Sequence, residues 1–183
     1  PSFRPETITS YEAGVKTELF DRRLRLNIAG FHNEYRDLLV TQPVVSNNGT
    51  FGTTAVNAGR VDYNGVEIEA SAVIIDTVMV QGGFSYIDTK YKQYLYPAPN
   101  GDLVNVASIA KPSYSSPVTA NASINYDQPL AGDLKLFARV GYTYEARKNS
   151  FPLILTSPFA DRVKADPRNL IDAQIGLGGI RFA

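Results

Sequence analysis

Val118-Thr119-Ala120-Asn121-Ala122-Ser123-Ile124-Asn125-Tyr126 puts every apolar residue on one parity and every polar residue on the other. A period of two is the mark of an extended strand with one dry and one wet face. A helix would group residues three or four apart, and here that mixes the two sets. After the turn Asp127 to Asp133 the pattern restarts, with Leu134, Leu136, Ala138, Val140 and Tyr142 opposing Lys135 and Arg139.

Working outward, five more segments alternate in the same way. Tyr11, Ala13, Val15, Thr17 and Leu19 oppose Glu12, Lys16 and Glu18, and Leu24, Leu26, Ile28 and Gly30 oppose Arg25 and Asn27. Val66, Ile68, Ala70 and Ala72 oppose Glu67, Glu69 and Ser71, while Val78, Val80, Gly82, Phe84 and Tyr86 oppose Gln81, Gly83 and Ser85. Ile171, Ala173, Ile175 and Leu177 oppose Asp172 and Gln174. No position on the apolar parity is charged, whereas nine charged residues occupy the other parity of the same segments. That division matches the cost of turning Arg or Lys toward mid-bilayer lipid, roughly 2–4 kcal/mol.

The connections alternate in length as well. Short turns at Phe20 to Arg23, Val73 to Thr77 and Asp127 to Asp133 interleave with long polar stretches at Arg36 to Arg60, Lys92 to Ser116 and Glu145 to Arg168. Up-and-down membrane barrels keep one rim short and load the other with loops. Small residues on the apolar parity suit lipid contact better than a sandwich core, which needs volume. Phe20, Tyr35, Tyr63, Tyr86, Tyr91, Tyr126, Tyr142 and Tyr144 lie near segment ends, where an interfacial aromatic belt is expected. The fold expected is all-β: about seven antiparallel up-and-down transmembrane β-barrel strands of a larger barrel. The alternative is a soluble β-sandwich, a carbohydrate-binding module with one wet face per sheet.

Composition narrows the chemistry. The chain has 183 residues, 18 Lys plus Arg and 18 Asp plus Glu, so its neutral charge offers no drive toward nucleic acid. It has no cysteine and a single histidine, His32, which leaves no thiol chemistry, no thiolate or multi-histidine metal site and no convincing triad. No cofactor is expected. No apolar run reaches the ~18 residues of a membrane-spanning helix, which leaves barrel strands untouched. Pro1 to Glu6 lacks the basic start and apolar core of a signal peptide.

Several blocks resemble the barrel of TonB-dependent outer-membrane receptors. Phe3-Arg4-Pro5-Glu6 with Ser10-Tyr11-Glu12-Ala13-Gly14-Val15-Lys16 is similar to that family's "PE…YE.G.K" stretch. Arg23 to Phe31 followed by Tyr35-Arg36-Asp37 is similar to the family too; Asn57-Ala58-Gly59 with Gly65-Val66-Glu67-Ile68-Glu69-Ala70 then match its "NAG…G.E.E" pattern, and Gly83 to Asp88 with Tyr91 resembles the next strand. The resemblance covers most of the chain, and the ordered set is more specific than any single motif. It implies a 22-stranded barrel plugged by a separate amino-terminal domain, with residues 1–183 an interior portion of the barrel's carboxy-terminal half and the plug and final strands absent. It implies a bacterial outer-membrane transporter, not an enzyme, that takes up a scarce nutrient such as a ferric siderophore. Its partners would be the TonB complex, reached through the plug, the lipid bilayer and the nutrient. An open seven-strand sheet, arc-shaped and not sealed, is the expected form of this stretch.

Candidate sites follow from position. Tyr94, Tyr96, Arg147, Lys148 and Arg162 fall in the long stretches, where aromatic and cationic side chains suit an anionic metal chelate. Glu12, Lys16, Arg25, Glu67, Glu69, Lys135 and Arg139 are expected to face the lumen, against water or the plug. Glu67 and Glu69 share a face as acid–base carboxylates do, but wet barrel interiors carry such pairs routinely. Asp161 and Asp166 lack the dense acidic spacing of a calcium loop.

Overall fold

The computed structural model describes residues 3–45, 51–98, 102–150 and 164–179. Its strands are β1 (Thr7–Leu19), β2 (Leu24–Val45), β3 (Phe51–Ile75), β4 (Val78–Pro97), β5 (Leu103–Asn105), β6 (Val118–Pro129), β7 (Lys135–Glu145), β8 (Lys148–Asn149), β9 (Lys164–Ala165) and β10 (Arg168–Gly178). Seven of them form an antiparallel meander in the order β1-β2-β3-β4-β6-β7-β10; β5 pairs with the outer end of β4, and β8 pairs with β9. Among the described residues β1 pairs only with β2 and β10 only with β7, so the sheet is open.

Register decides the faces, because a slip of one residue sends every side chain to the other side. One row across the sheet reads Thr17, Leu26, Ala70, Gly82, Ala122, Tyr142, Ile171. The adjacent row reads Glu18, Arg25, Ser71, Gln81, Ser123, Gly141, Asp172. The apolar parities read strand by strand all meet on one face, a coincidence of about 1 in 64 if each of the six pairings chose its parity freely.

That uncharged face is bare. Val15 is 63% exposed, Ile124 55%, Val140 52%, Ile171 78% and Ile175 76%. Substantial strand-to-strand contacts are all between sheet neighbours, so no second sheet covers it among the described residues. A soluble sandwich would bury these side chains, each worth roughly 1.5–3 kcal/mol on leaving water. Summed over the sheet, that is comparable with the whole stability of a typical domain, about 5–15 kcal/mol.

Two expectations need correction. The polar stretch Arg36 to Arg60 is largely strand: β2 runs 22 residues to Val45, and β3 begins at Phe51. Leu38, Leu39, Val40 and Val56 give this arm an apolar content that its polar neighbours mask. Likewise β4 continues to Pro97 and pairs Tyr96 with Val104 in β5. The second correction concerns the aromatic belt. Register puts Tyr35, Tyr63 and Tyr91 on the charged face, one step out of phase with Gly30, Val66 and Tyr86. Tyr86, Tyr126, Tyr142 and Tyr144 do lie on the uncharged face.

The short turns are tight. Phe20, Asp21 and Arg22 are left-handed (φ 54°, 52° and 67°), and the Arg23 amide donates to the Phe20 carbonyl at 3.0 Å. Arg23 pairs with Asp76 of the neighbouring turn at 2.7 Å, tying the two hairpins together at this rim.

The only buried apolar cluster among the described residues is at the opposite end. Val40, Tyr94 and Ala110 are joined there by Leu38, Val56, Tyr91, Leu95, Tyr96, Val106 and Ala107. It forms a loop layer with a core of its own, standing on the wall.

Candidate functional site

The side chains with specific partners concentrate where the wall meets the loop layer. On the uncharged side a band of charge begins above His32 and Asp88. Glu34 accepts from Arg36 at 2.6 Å and lies 3.5 Å from Arg60, and its carboxyl is held below the ordinary range chiefly by the Arg36 hydrogen bond. Lys90 pairs with Asp88 at 2.6 Å and Lys92 with Asp62 at 3.3 Å. His32 Nδ1 meets Asn64 Oδ1 at 2.8 Å, and its ring stacks near Tyr11, 6.3 Å between centroids.

At the same level the charged face carries tyrosines. Val61, 1% exposed, pairs with Tyr35 on one side and Tyr91 on the other. Burial pushes the Tyr91 phenol up to about 12 and raises Tyr63 and Tyr94 in the same direction. Tyr91 and Tyr94 meet edge to face at 5.1 Å. Tyr35 donates to Glu6 at 2.7 Å, and the Leu39 amide donates to the same carboxyl, holding Glu6 below the ordinary carboxylate range.

The residues singled out by sequence divide into groups. Tyr94 is 3% exposed and forms the centre of the loop-layer core, so it supports that layer instead of presenting a free ring. Tyr96 is half-buried against the same core. Arg147 pairs with Asp166 at 3.0 Å, and Lys148 with Glu145 at 2.6 Å, where Arg168 adds a second cation at 3.3 Å. Both cations are therefore already partnered. Arg147 also lines a cleft of about 140 Å³ with Tyr86, Asp88, Pro112 and Asn149. Arg162 lies outside the described residues, as does Asp161.

Glu12, Lys16, Arg25, Glu67, Glu69, Lys135 and Arg139 all share the charged face. Arg25 is neutralised by Glu18 at 2.9 Å, and Asn27 donates to Glu69 at 3.3 Å. Between these charges the central strands present Met79, Gln81, Gly83 and Ser85 on β4 and Thr119, Asn121, Ser123 and Asn125 on β6, with Asp127 following near the turn. A hollow of about 320 Å³ lies there, lined by Arg25, Asn27, Glu69, Gln81 and Asn121 among others. A larger concavity, about 630 Å³, is an open dent on the other face over the small residues Ala13 and Gly30. Its walls are mostly apolar, and it lies on the bare surface.

Sequence reading missed Glu6, Tyr35, Asn57, Tyr63 and Tyr91 as residues of the boundary between wall and loop layer. For the tyrosines the signal was present, since their odd numbers oppose the even apolar parity of β2, β3 and β4. For Glu6 and Asn57 it was not, because their partners lie tens of residues away.

An open antiparallel meander with one face uncharged up to a band of ion pairs at the loop end, one charged face and loops at one rim is a section of a membrane β-barrel wall. Residues 1–182 match the TonB dependent receptor-like β-barrel family, and the chain belongs to it. It is 29% identical over 141 residues to the metal-pseudopaline receptor CntO of Pseudomonas aeruginosa (strain UCBPP-PA14), covering 72% of this chain and 19% of that protein. The fold is similar to the ferric yersiniabactin uptake receptor FyuA from Yersinia pestis, with TM-score 0.67 and 16% identity over 97% of this chain and 23% of that one. It is also similar to the siderophore receptor PiuA from Acinetobacter baumannii, with TM-score 0.64 and 18% identity over 93% and 22%. The chain thus spans about a fifth of the length of these relatives.

Proposed function

We propose that this chain is a stretch of wall and outer rim of a bacterial outer-membrane receptor that binds a scarce nutrient and admits it past a plug. The observation carrying this reading is the convergence of all the apolar parities on one bare face. Nine-residue stretches such as Leu24–His32 and Val78–Tyr86 fit the ~9–11 residues of a tilted membrane strand. The charged face, with Glu12, Lys16, Arg25, Glu67, Glu69, Lys135 and Arg139, then lines the lumen. We assign the stretch to the carboxy-terminal half of a 22-stranded barrel whose plug, supplied by another part of the protein, engages the TonB complex.

The nutrient we favour is a metal chelate such as a ferric siderophore, in keeping with the names of the relatives above. Tyr96, Arg147, Lys148 and Arg162 are the proposed chelate contacts at the rim, with Tyr94 as the support beneath them. Anionic chelates suit guanidinium and ammonium groups that trade an internal carboxylate partner for the ligand. The mechanism is binding and gated passage, with no covalent step. Two measurements test the reading. The complete receptor in detergent should migrate differently in a gel before and after boiling, and an unchanged mobility counts against a barrel. Arg147→Gln with Lys148→Gln should weaken binding of an anionic ferric siderophore about tenfold or more, and unaltered affinity across a siderophore panel removes these residues from the contact set.

A further inference from the structure

The boundary between wall and loop layer is a line of interruptions. Asp37 is skipped in the β2–β3 ladder, with a left-handed backbone (φ 56°), and Ala58 is skipped one step further on. Lys92 is skipped between β4 and β3 at the same level, since Arg60 pairs with Gln93 and Val61 with Tyr91. Three neighbouring strands therefore each carry an extra residue at one height, where the ladder is locally broken and bends most easily. Gly59 sits on this line because Leu38 leaves no room for a side chain, its Cβ only 2.9 Å from where one would begin.

Three further observations converge on the same line. Above it the loop layer has an apolar core centred on Val40, Tyr94 and Ala110, with Tyr91 packing on it from below the line, so the layer has the means to move as a unit. At the line itself, Arg60 Nε, Asp62 Oδ1 and Thr89 Oγ1 are buried side-chain atoms without a hydrogen-bond partner among the described residues. Each such atom forgoes a hydrogen bond that movement admitting water would supply. Finally, the segment before β1 spans the line from outside. Glu6 accepts from Tyr35 below it and from the Leu39 amide above it. Arg4 pairs with Asp37 at 2.6 Å, and its backbone exchanges hydrogen bonds with the Asn57 amide at 2.9 and 3.0 Å. Asn57 also donates to the Asp37 carbonyl at 2.7 Å. On the β4 side the crossing tie is Lys92 to Asp62.

We propose that the loop layer is a hinged unit, with the bulges at Asp37, Ala58 and Lys92 as its hinge and Arg4, Glu6 and Asn57 as a latch that sets its angle over the wall. The blocks that resemble the receptor family at Arg4-Pro5-Glu6, Tyr35-Arg36-Asp37 and Asn57-Ala58-Gly59 thereby acquire one shared role, although they lie far apart in sequence. Moving the layer changes the opening above Tyr35 and Tyr63 and shifts Tyr94 against Tyr91, the contact that crosses the line.

The inference rests on the barrel reading only for the identity of this rim as the mouth, so the test reads hinge and barrel separately. A cysteine-free version of the complete receptor is given nitroxides at Thr41→Cys on the arm and Gln81→Cys on the wall, and the interspin distance is measured by pulsed electron resonance in detergent. Boiled and unboiled gel mobility of the same samples reports the barrel. Glu6→Gln combined with Arg4→Gln should keep the mobility shift while the mean distance moves by about one strand spacing, ~4.8 Å, or the distribution broadens by that much. An unchanged distribution overturns the latch. Should the double variant lose the barrel, Asn57→Ala alone is read by the same two measurements with the same criteria.

Discussion

The wall and the loop layer are built by different rules, although the same strands run through both. In the wall, side chains alternate with a strict period of two, and among the described residues strands make substantial contact only with their sheet neighbours, leaving Ile171 and Ile175 more than 75% exposed. In the loop layer the period is broken by three bulges, and stability comes from a compact cluster in which Tyr94 is 3% exposed. The wall borrows its apolar surroundings from outside the chain. The loop layer supplies its own.

That contrast fixes where damage should spread. Tyr94→Ala empties the centre of the loop core and should cost that layer roughly 3–5 kcal/mol, the range for losing a buried aromatic. Hydrogen exchange of amides in residues 38–45 and 93–97 should accelerate while those of Leu24–His32 stay protected. Equal acceleration in both regions breaks the division. Val140→Arg, at the middle of the uncharged face, should destabilise the wall by about 2–4 kcal/mol in a bilayer. Gln81→Arg on the opposite face should cost less than about 0.5 kcal/mol. Folding of the complete receptor into vesicles, followed by urea titration, distinguishes them, and equal effects contradict the assignment of faces.

Much of the wall was legible in the sequence, and the reason is physical. A strand with one face in hydrocarbon tolerates no charge there, so Val118 to Tyr126 and Leu134 to Tyr142 declare their faces residue by residue. The loop layer hides because its order depends on contacts distant in sequence, such as Val40 with Tyr94 and Ala110. Polar residues from Arg36 to Arg60 disguised a continuing strand. Tyr94, chosen for its ring, proved to be interior, and Arg147 and Lys148 already hold carboxylate partners. Nearness to strand ends suggests a belt for Tyr35, Tyr63 and Tyr91, whereas their parity places them on the charged face.

Smaller effects sharpen the boundary. Gly65 lies under the Phe31 ring, and a side chain there would begin 2.8 Å from the Tyr86 carbonyl. Gly65→Ala should cost about 1–3 kcal/mol by overpacking, visible as a lower urea midpoint with an unchanged slope. The boundary tyrosines should also respond to base. Burial favours neutral Tyr91, whose folded value of about 12 exceeds the unfolded ~10. Its contribution is thus complete below pH ~10 and lost as pH rises through about 12, and Tyr91→Phe should flatten loop-layer exchange over that window. Glu6 behaves oppositely. Its depressed value makes the latch contribution complete above the unfolded carboxylate value of ~4.3 and lost as pH falls below it, a dependence that Glu6→Gln should abolish.

The central claim concerns which side chains meet hydrocarbon, and a nitroxide scan of β6 tests it most directly. Single cysteines at Ala120, Asn121, Ala122, Ser123, Ile124 and Asn125 are labelled in a cysteine-free version of the complete receptor in lipid vesicles, and collision rates with oxygen and with a water-soluble nickel chelate are compared. Ala120, Ala122 and Ile124 should favour oxygen, with Asn121, Ser123 and Asn125 favouring the chelate or neither. A scan without a period of two, or one with the parities reversed, contradicts the account.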